Sequence, residues 1–277
     1  MSDPRPIGMF DSGIGGLTVA KELFACMPGE RLVYLGDTAR CPYGGRSEET
    51  IRTFGLQDAR FLFSMDIKML IVACNTVSSV AIDHIRQEVN EIPVIGVVAP
   101  GARAAASRTV SKKVGVIGTV ATIRAQSYQK AIASLDNQIK TYGKACPLFV
   151  PLVEEGLLDN EITRLTAQYY LYELVNYGID CLILGCTHYP LLMEAIQSTV
   201  GAGTQLLDSA YWTAKEAKDI LTAMEERNPE KSNGKENSRF FVTDCTEGFQ
   251  ENASIFLGSP MANLEKINLE QLTGIVA

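Results

Sequence analysis

Two stretches of this chain, LIVACNT at residues 70–76 and LILGCTH at residues 182–188, decide the fold that we predict. Each is a short apolar run of strand length that leads into a cysteine followed by polar residues. Apolar runs without polar alternation are typical of parallel strands that are covered on both faces. Active sites of open α/β sheets lie at the carboxyl ends of the strands, and Cys74 and Cys186 both stand at such a point.

The rest of the chain alternates between strand-like and helix-like segments. This alternation predicts an α/β fold with parallel sheets. Helices are predicted, for example, at residues 17–27, 47–64, 121–134 and 162–177, and strands at residues 7–10, 31–35, 69–73, 94–98, 114–117, 181–184, 205–207 and 240–242.

The sequence also repeats itself weakly. IGMFDSG at residues 7–13 and VGVIGTV at residues 114–120 each combine a strand with a turn that carries a hydroxyl, and ACNT and GCTH each end a later strand. We therefore expect two similar parallel-sheet α/β lobes related by a pseudo-two-fold axis, with the active site in the cleft between them. The expected first lobe is 1–98 completed by 210–277, and the second is 99–209. A linker is expected at 98–103, where a Pro-Gly pair interrupts the pattern.

Composition narrows the class of protein. The 277 residues suffice for two domains, and 46% hydrophobic with 21% charged residues is typical of a globular chain. A net charge of −7 argues against nucleic acid or an anionic membrane as the main partner. Neither a signal core nor an apolar run of membrane-spanning length is evident, so we expect a cytoplasmic protein.

Most of the cysteines are expected to be free thiols in the core. There are seven of them, with no CxxC pair, and only two histidines. A structural zinc site is therefore not expected.

Two thiols that face each other across a cleft can remove a proton from one face of a carbon and return one to the other face. This predicts an isomerase that inverts a stereocentre. A thiol has a pKa of about 8.5, and burial would raise it further. A neighbouring group must compensate; Asp11 is a candidate for Cys74 and His188 for Cys186. The alternative is that each cysteine is simply a small buried core residue.

Three further segments have both a functional and a structural interpretation. Gly13-Ile-Gly-Gly16 follows a strand and opens a helix, which suits an anion such as a substrate carboxylate, but it is not a dinucleotide motif. DTARCPYGGR at residues 37–46 either closes over a small substrate or is an ordinary turn. Glu154 and Glu155 in PLVEEG are expected on a loop.

Two C-terminal segments complete the predictions. The charged segment 225–238 is expected to be an exposed loop. The apolar residues 255–257 either cover an interface or pack on the first lobe.

Taken in order, FDSGIGGLTV, DTARCPYGGR, VACNTVSSVA, GVIGTVATIRAQSY, PLVEEG and LGCTHYPLL closely resemble the glutamate racemases of the cofactor-independent aspartate/glutamate racemase superfamily. The resemblance extends from about residue 7 to residue 208. It implies two lobes with the site between them, a homodimer, a role in supplying D-glutamate for peptidoglycan, and chemistry without pyridoxal phosphate, metal or nucleotide.

The resemblance also implies roles for individual residues. Cys74 and Cys186 are the acid/base thiols, assisted by Asp11, His188 and Glu154. The residues expected to hold the substrate are Asp11, Ser12, Pro42, Tyr43, Gly44, Asn75, Thr76, Thr119, Thr122, Thr187 and His188.

Three alternatives stay open at this point. The first is a related racemase that acts on aspartate or another small amino acid, since the sequence does not fix the length of the substrate's side chain. A cysteine-dependent hydrolase would use Cys186 as nucleophile and His188 as base, but it would leave Cys74 unexplained. A protein-binding role such as gyrase inhibition is expected of relatives with an N-terminal extension, whereas the first strand of this chain begins near residue 7.

Overall fold

Two parallel sheets, one in each of two α/β lobes, organise this protein. They are present in a computed structural model that describes residues 2–229, 233–245 and 249–274. The strands of these residues are β1 (Ile7–Asp11), β2 (Leu32–Gly36), β3 (Met69–Val72), β4 (Val94–Gly96), β5 (Lys113–Gly118), β6 (Lys140–Ala145), β7 (Cys181–Gly185), β8 (Gln205–Asp208), β9 (Arg239–Val242) and β10 (Leu264–Lys266).

Four consecutive strands of the first sheet have the same order as the four strands of the second. The first sheet runs β10-β9-β2-β1-β3-β4 and the second runs β6-β5-β7-β8. All of these neighbouring strands are parallel. In each lobe the first strand lies between the second and the third, so that β1 corresponds to β5 and β3 to β7. The prediction of two similar parallel-sheet lobes is confirmed.

Helices lie between most of the strands and cover the sheets. Within the described ranges, no helix is both long and apolar enough to cross a membrane. Short 3-10 helices span Thr38–Arg40 and Tyr189–Leu192, and the α-helices are α1 (Leu17–Cys26), α2 (Glu48–Phe63), α3 (Asn75–Val80), α4 (Ile82–Glu88), α5 (Val98–Arg108), α6 (Val120–Ala125), α7 (Ser127–Leu135), α8 (Phe149–Glu154), α9 (Glu161–Tyr177), α10 (Met193–Val200), α11 (Ser209–Ala223), α12 (Phe249–Leu257) and α13 (Leu269–Thr273).

Local sequence signals explain the limits of two long helices. Helix α2 begins where the Ser47 hydroxyl accepts a hydrogen bond from the Thr50 N–H, and Glu48 places negative charge at the positive end of the helix. Helix α9 begins at the side-chain cap of Asn160 and ends at Gly178, whose φ is 70°. Glycine adopts this left-handed conformation without the steric penalty of a Cβ.

The burial of the strands follows from their position between helices. Strands β1, β2, β3 and β7 are buried along their whole length. One hydrophobic core cluster contains Met9 and Tyr34 of the first lobe together with Leu184 and Phe149 of the second. The lobes are therefore packed against each other through a shared apolar core as well as being joined by the chain.

The interruption predicted at 98–103 is wrong, because these residues form the start of α5, the helix that joins β4 of the first sheet to β5 of the second. Helix α5 begins at Val98, and Pro100 lies in its first turn, where a missing N–H removes no helical hydrogen bond. A Cβ at Gly101 would lie 3.1 Å from the ring of Tyr128 in α7. The Pro-Gly pair thus allows a helix to start and then to pack closely on its neighbour.

Other element limits also differ from the predictions. The strand predicted at 94–98 ends at Gly96. The helix predicted at 121–134 is divided into α6 and α7 at Gln126, whose φ of 54° cannot continue a right-handed helix. Strand β6, KTYGKA, was missed because it is a half-exposed edge strand without an apolar run, and β10 has only three residues.

The charged segment 225–238 is attached to the first lobe at both flanks, while residues 230–232 lie outside the described ranges. The Asn228 N–H donates to Glu30 Oε1 at 2.7 Å. Ser238 is buried, and its hydroxyl accepts from the first N–H of β2 at 2.9 Å. The prediction of an exposed loop is therefore wrong at Ser238, because its hydroxyl serves as the hydrogen-bond acceptor for the first residue of β2.

The two sheets draw on separate parts of the chain. The first uses strands between residues 7 and 96 and between residues 239 and 266, and the second uses strands between residues 113 and 208. The expected domain limits, 1–98 with 210–277 and 99–209, stay a prediction.

A buried ion pair at the amino end of the first sheet gives a stability prediction. The fully buried Lys68 ammonium contacts Glu30 Oε2 at 2.7 Å and donates to the carbonyls of Asp3 and Glu226 at 2.8 Å each. The Lys68→Met substitution leaves the Glu30 carboxylate buried without its cation, so we expect a loss of about 3–5 kcal/mol in the free energy of unfolding. Denaturant titration measures it.

The control for this prediction is Lys266→Met, which removes an exposed partner of Asp244. Exposed pairs contribute little, so its unfolding midpoint should match the wild type. Equal losses in the two variants would contradict the account of Lys68.

Candidate active site

The two cysteines singled out by the sequence lie at equivalent points of the two lobes. Cys74 follows β3 and caps α3, and Cys186 follows β7. Both residues are buried: Cys74 is 4% exposed and Cys186 is 6% exposed. Both line one cavity of about 390 Å³ between the lobes. The repeat of the strand order thus brings one thiol from each lobe to the same space.

This cavity also collects most of the other side chains expected at the site. Its volume is in the range of small-molecule sites. Asp11 and Thr122 do not line the cavity. Glu154 is the last residue of α8, so the prediction of a loop at this residue is wrong. The sequence-predicted residues that line the cavity are Ser12, Pro42, Tyr43, Gly44, Cys74, Asn75, Thr76, Thr119, Glu154, Cys186, Thr187 and His188.

The surroundings of the Cys74 thiol favour its protonated form. Burial raises its pKa to about 12, and the nearby negative charge of Asp11 raises it as well. The N–H groups of Val77 and Ser12 act in the opposite direction, and the thiol donates to Ser12 Oγ at 3.6 Å. Removal of this proton therefore needs both an acceptor and added positive charge.

The Cys186 thiol has the same kind of environment. Burial is the main cause of its raised pKa, and the backbone N–H of His188 opposes the rise. Negative charge on Asp11, Cys74 or Glu154 raises this pKa further. Because a negative charge on Cys74 raises the pKa of Cys186, only one of the two thiols is expected to be a thiolate at a time.

Asp11 is a buried carboxyl with an unused hydrogen-bonding atom. It is 0% exposed and ends β1. Its Oδ2 accepts from the Gly13 N–H at 3.0 Å, whereas Oδ1 has no hydrogen-bond partner. Burial raises the pKa of Asp11, while His188 and the N–H groups of the β1–α1 turn lower it. A carboxyl in this state can accept a proton or bind an ammonium group.

His188 is held in one orientation. Its Nε2 lies 3.1 Å from Glu154 Oε1, and its Nδ1 lies 3.5 Å from the Thr187 hydroxyl. The ring of Phe256 packs edge-on against it with centroids 5.1 Å apart. Since Phe256 and Leu257 are buried and α12 packs on α1, these two residues cover the first lobe and the back of the site, whereas Ile255 is 50% exposed.

Polar groups from both lobes meet at one side of the cavity. The Asn75 Oδ1 accepts from the Tyr128 hydroxyl at 2.6 Å, and its buried Nδ2 has no partner. The Thr76 hydroxyl lies 3.0 Å from that of Thr119 and 3.4 Å from that of Thr122. These donors suit a carboxylate that replaces the missing acceptor of Asn75.

Residues 41–45 form one wall of the cavity. The carbonyl of Gly44 accepts from the Ala121 N–H at 3.1 Å, which links this wall to the second lobe. The Tyr43 hydroxyl points away from the cavity, where it donates to Asp37. The geometry therefore offers the backbone and ring of Tyr43, rather than its hydroxyl, to a ligand.

The cavity is also lined by residues that were not predicted for the site. Cys41, Gly45, Val120 and Pro151 lie within the quoted motifs, whereas Pro147 and Val150 lie outside them. Val120, Pro147, Val150 and Pro151 are apolar residues of the second lobe. Their contribution is an apolar wall, which strengthens electrostatic effects near the thiols. Among the described residues, no group of three or more His, Cys, Asp or Glu side chains is arranged to hold a metal ion.

A close contact between the lobes under the cavity gives a second prediction. A Cβ at Gly15 would overlap the Thr187 hydroxyl and lie 2.6 Å from His188 Nδ1. The Gly15→Ala substitution must displace both side chains, so we expect kcat/KM to fall on the order of 10²-fold and stability to fall by about 1–3 kcal/mol. Steady-state kinetics and thermal unfolding measure the two effects.

The control is Gly203→Ala, where an added Cβ meets no atom within 4 Å. Wild-type kinetics in the Gly15→Ala variant would show that this contact does not position the site.

Comparison with known proteins agrees with this geometry. Residues 18–217 match the family described as Asp/Glu/Hydantoin racemase. The chain belongs to this racemase family. A glutamate racemase of Geobacter metallireducens is 47% identical over 266 residues, which cover 96% of this chain and 97% of that protein. The family resemblance of the sequence motifs is thus confirmed.

Solved structures of racemases place the fold in the same family. A glutamate racemase from Francisella tularensis, crystallised with D-glutamate, superimposes with a TM-score of 0.91 at 38% identity and covers 97% of this chain and 99% of that one. The Escherichia coli glutamate racemase, crystallised with L-glutamate and the activator UDP-MurNAc-Ala, gives 0.77 at 28% identity, over 95% and 98%. An aspartate racemase homologue from Pyrococcus horikoshii shares the fold, with a TM-score of 0.57 at 20% identity, over 79% and 99%.

Proposed function

We propose that this protein is an isomerase that interconverts L- and D-glutamate by moving the Cα proton between two thiols. The observation that carries the proposal is the presence of Cys74 and Cys186, one from each of two similarly built lobes, in a single buried cavity. The two enantiomers are mirror images about Cα. A pair of acid/base groups from equivalent positions matches that symmetry.

In the proposed reaction one thiolate removes the Cα proton while the opposite thiol gives a proton to the other face. The roles exchange in the reverse direction. The negative charge that develops at Cα is shared with the adjacent carboxylate. Donors at this carboxylate therefore stabilise the carbanion. The unpaired Asn75 Nδ2 and the hydroxyls of Thr76 and Thr119 are the donors available for that carboxylate.

Ionisation of the thiols is the difficult part of this mechanism. With its pKa raised by burial to about 12, the Cys74 thiol forms very little thiolate at neutral pH. The α-ammonium group of the substrate brings positive charge next to the thiols, and this lowers their pKa. We propose that Asp11 exchanges the proton of Cys74 and that the His188–Glu154 pair assists Cys186.

Glutamate is favoured over aspartate by the comparisons. The relatives with 41–47% identity over almost the whole chain are glutamate racemases. Aspartate racemases share only the fold, at 18–20% identity. The apolar wall and the cavity of about 390 Å³ are compatible with the longer side chain.

A direct assay tests the substrate. Purified protein is incubated under reducing conditions with L-glutamate, D-glutamate, L-aspartate or D-aspartate, without an added cofactor, and the enantiomer ratio is followed by chiral chromatography. We expect both glutamate enantiomers to reach a 1:1 mixture and aspartate to react far more slowly. Conversion of aspartate alone would overturn the assignment to glutamate, and release of a hydrolysis product that depends on Cys186 alone would favour the hydrolase.

We further propose that the protein works in the cytoplasm as a homodimer and supplies D-glutamate for peptidoglycan. One helix face supports self-association, because four large side chains of α9, Ile162, Leu165, Tyr169 and Tyr172, are 56–77% exposed. Sedimentation velocity measures the oligomeric state. A monomer at micromolar concentration would contradict the dimer.

A further inference from the structure

A buried charge cluster lies directly behind the cavity wall formed by residues 41–45. Asp37 and Asp58 are both 0% exposed, and the Arg40 guanidinium contacts Asp37 Oδ2 at 2.5 Å and Asp58 Oδ1 at 3.0 Å. The Tyr43 hydroxyl contacts both carboxyls. Arg40 and Tyr43 flank Cys41 and Pro42 in the chain, so this cluster fixes both sides of the wall.

The cluster has fewer donor hydrogen atoms than the oxygens of its two carboxyl groups need for their hydrogen bonds. Asp37 Oδ1 accepts from the Thr243 hydroxyl at 2.9 Å, and Asp37 Oδ2 accepts from Arg40 and from Tyr43. The single proton of the Tyr43 hydroxyl is then used. Asp58 Oδ2 lies 3.2 Å from the same phenol oxygen, which has no second proton to donate. A proton on Asp58, donated to the Tyr43 oxygen, completes the pattern.

The charges in the cluster lead to the same result. Two carboxylates and one guanidinium would leave one uncompensated negative charge in the interior, which is strongly unfavourable. Burial raises the pKa of Asp58 well above its usual range and Asp37 and Asp11 raise it as well, whereas Arg40 and the hydrogen bond with Tyr43 lower it. The ionisable groups that act on Asp58 are thus Asp37 and Arg40 in the segment after β2, Tyr43 in the cavity wall and Asp11 at the end of β1.

We propose that Asp58 is a positioning residue for this reaction: its protonated carboxyl donates to Tyr43 and holds residues 41–45 against the substrate, and loss of the proton loosens that wall. The inference rests on the proposed function, since it takes the cavity as the substrate site. Asp58 itself does not line the cavity.

The proposal predicts a separation between binding and catalysis. The wall at residues 41–45 contacts the ligand, whereas Cys74 and Cys186 stand on other elements. A loosened wall should therefore raise KM more than it lowers kcat. KM should rise as the pH increases through the range in which Asp58 loses its proton, because the folded state with neutral Asp58 is then replaced by one with excess negative charge.

The test compares Asp58→Asn, which retains a donor and an acceptor, with Asp58→Ala, which retains neither. We expect Asp58→Ala to raise KM on the order of tenfold to a hundredfold with a smaller change in kcat. Asp58→Asn should have a KM close to that of the wild type at neutral pH and should lack the part of the alkaline rise that Asp58 causes. Substrate and thiol ionisation affect both proteins equally, so the difference isolates Asp58.

Glu30→Gln is the matched control, because Glu30 is also a buried carboxyl but lies at the opposite end of the sheet, paired with Lys68. It should lower the melting temperature without changing KM. A wild-type KM in Asp58→Ala, or alkaline KM profiles that coincide for wild type and Asp58→Asn, would overturn the proposal.

An infrared difference spectrum between wild type and Asp58→Asn needs no substrate. It should contain the carbonyl stretch of a protonated carboxyl, and its absence would refute a neutral Asp58. A wild-type protein that shows this band but does not racemise glutamate would contradict the proposed function instead.

Discussion

Replacing Cys74 or Cys186 by serine is expected to lower glutamate racemisation by about 10³-fold or more in either direction. A serine hydroxyl is a much weaker acid than a thiol, and each thiol is needed once as base and once as acid. The equilibrium constant between enantiomers is 1, so kcat/KM must fall by the same factor for L- and D-glutamate in each variant. Chiral chromatography at early conversion measures both rates.

The two variants should still differ in exchange of the Cα proton with solvent. In Cys74→Ser the remaining thiol can remove the proton from only one enantiomer, and in Cys186→Ser the other thiol acts on the opposite enantiomer. Cys181→Ser is the matched control, because Cys181 is buried at the other end of the strand that leads to Cys186. Full activity in either active-site variant would refute the two-thiol mechanism.

The Asp11→Asn substitution is expected to lower kcat on the order of 10²–10⁴-fold and, at neutral pH, to stabilise the fold by about 0.5–2 kcal/mol. Activity falls because an amide cannot exchange the proton of Cys74. Stability rises because the substitution removes the cost of ionising a buried carboxyl at neutral pH. Steady-state kinetics and denaturant titration report the two effects separately.

The sign of the stability effect follows from the raised pKa of Asp11. The folded state binds this proton more tightly than the unfolded state, whose Asp pKa is about 3.9. Wild-type stability therefore falls as the pH rises from about 4 through the raised pKa, and Asp11→Asn does not share that fall. A variant that loses activity and is also less stable at neutral pH would indicate a structural role for Asp11 instead.

The elements of the fold that follow from strong local patterns could be predicted from the sequence. The apolar runs before Cys74 and Cys186 specified buried parallel strands, and their carboxyl ends fixed where the thiols lie. The DSG and GTV turns gave the repeat of the lobes. These features depend on neighbouring residues along the chain, which one sequence contains.

Other features depend on tertiary contacts that one sequence does not reveal. Strand β6 exists because β5 offers it an edge, not because KTYGKA has an apolar pattern. Pro100 was interpreted as an interruption, although the first turn of a helix accepts proline. The direction of the Tyr43 hydroxyl is set by Asp37 together with Asp58, and no motif pointed to Asp58, a residue of α2.

The measurement that tests the central claim most directly is isotope analysis at early conversion in D₂O. L-Glutamate with protium at Cα is incubated with the wild-type protein, and both enantiomers are separated and examined by NMR and mass spectrometry before a tenth of the substrate has reacted. Two thiols on opposite faces predict deuterium at Cα of the D-glutamate formed and protium at Cα of the L-glutamate that remains. Protium retained in the D-glutamate would mean that a single base returns the same proton, and it would contradict the account.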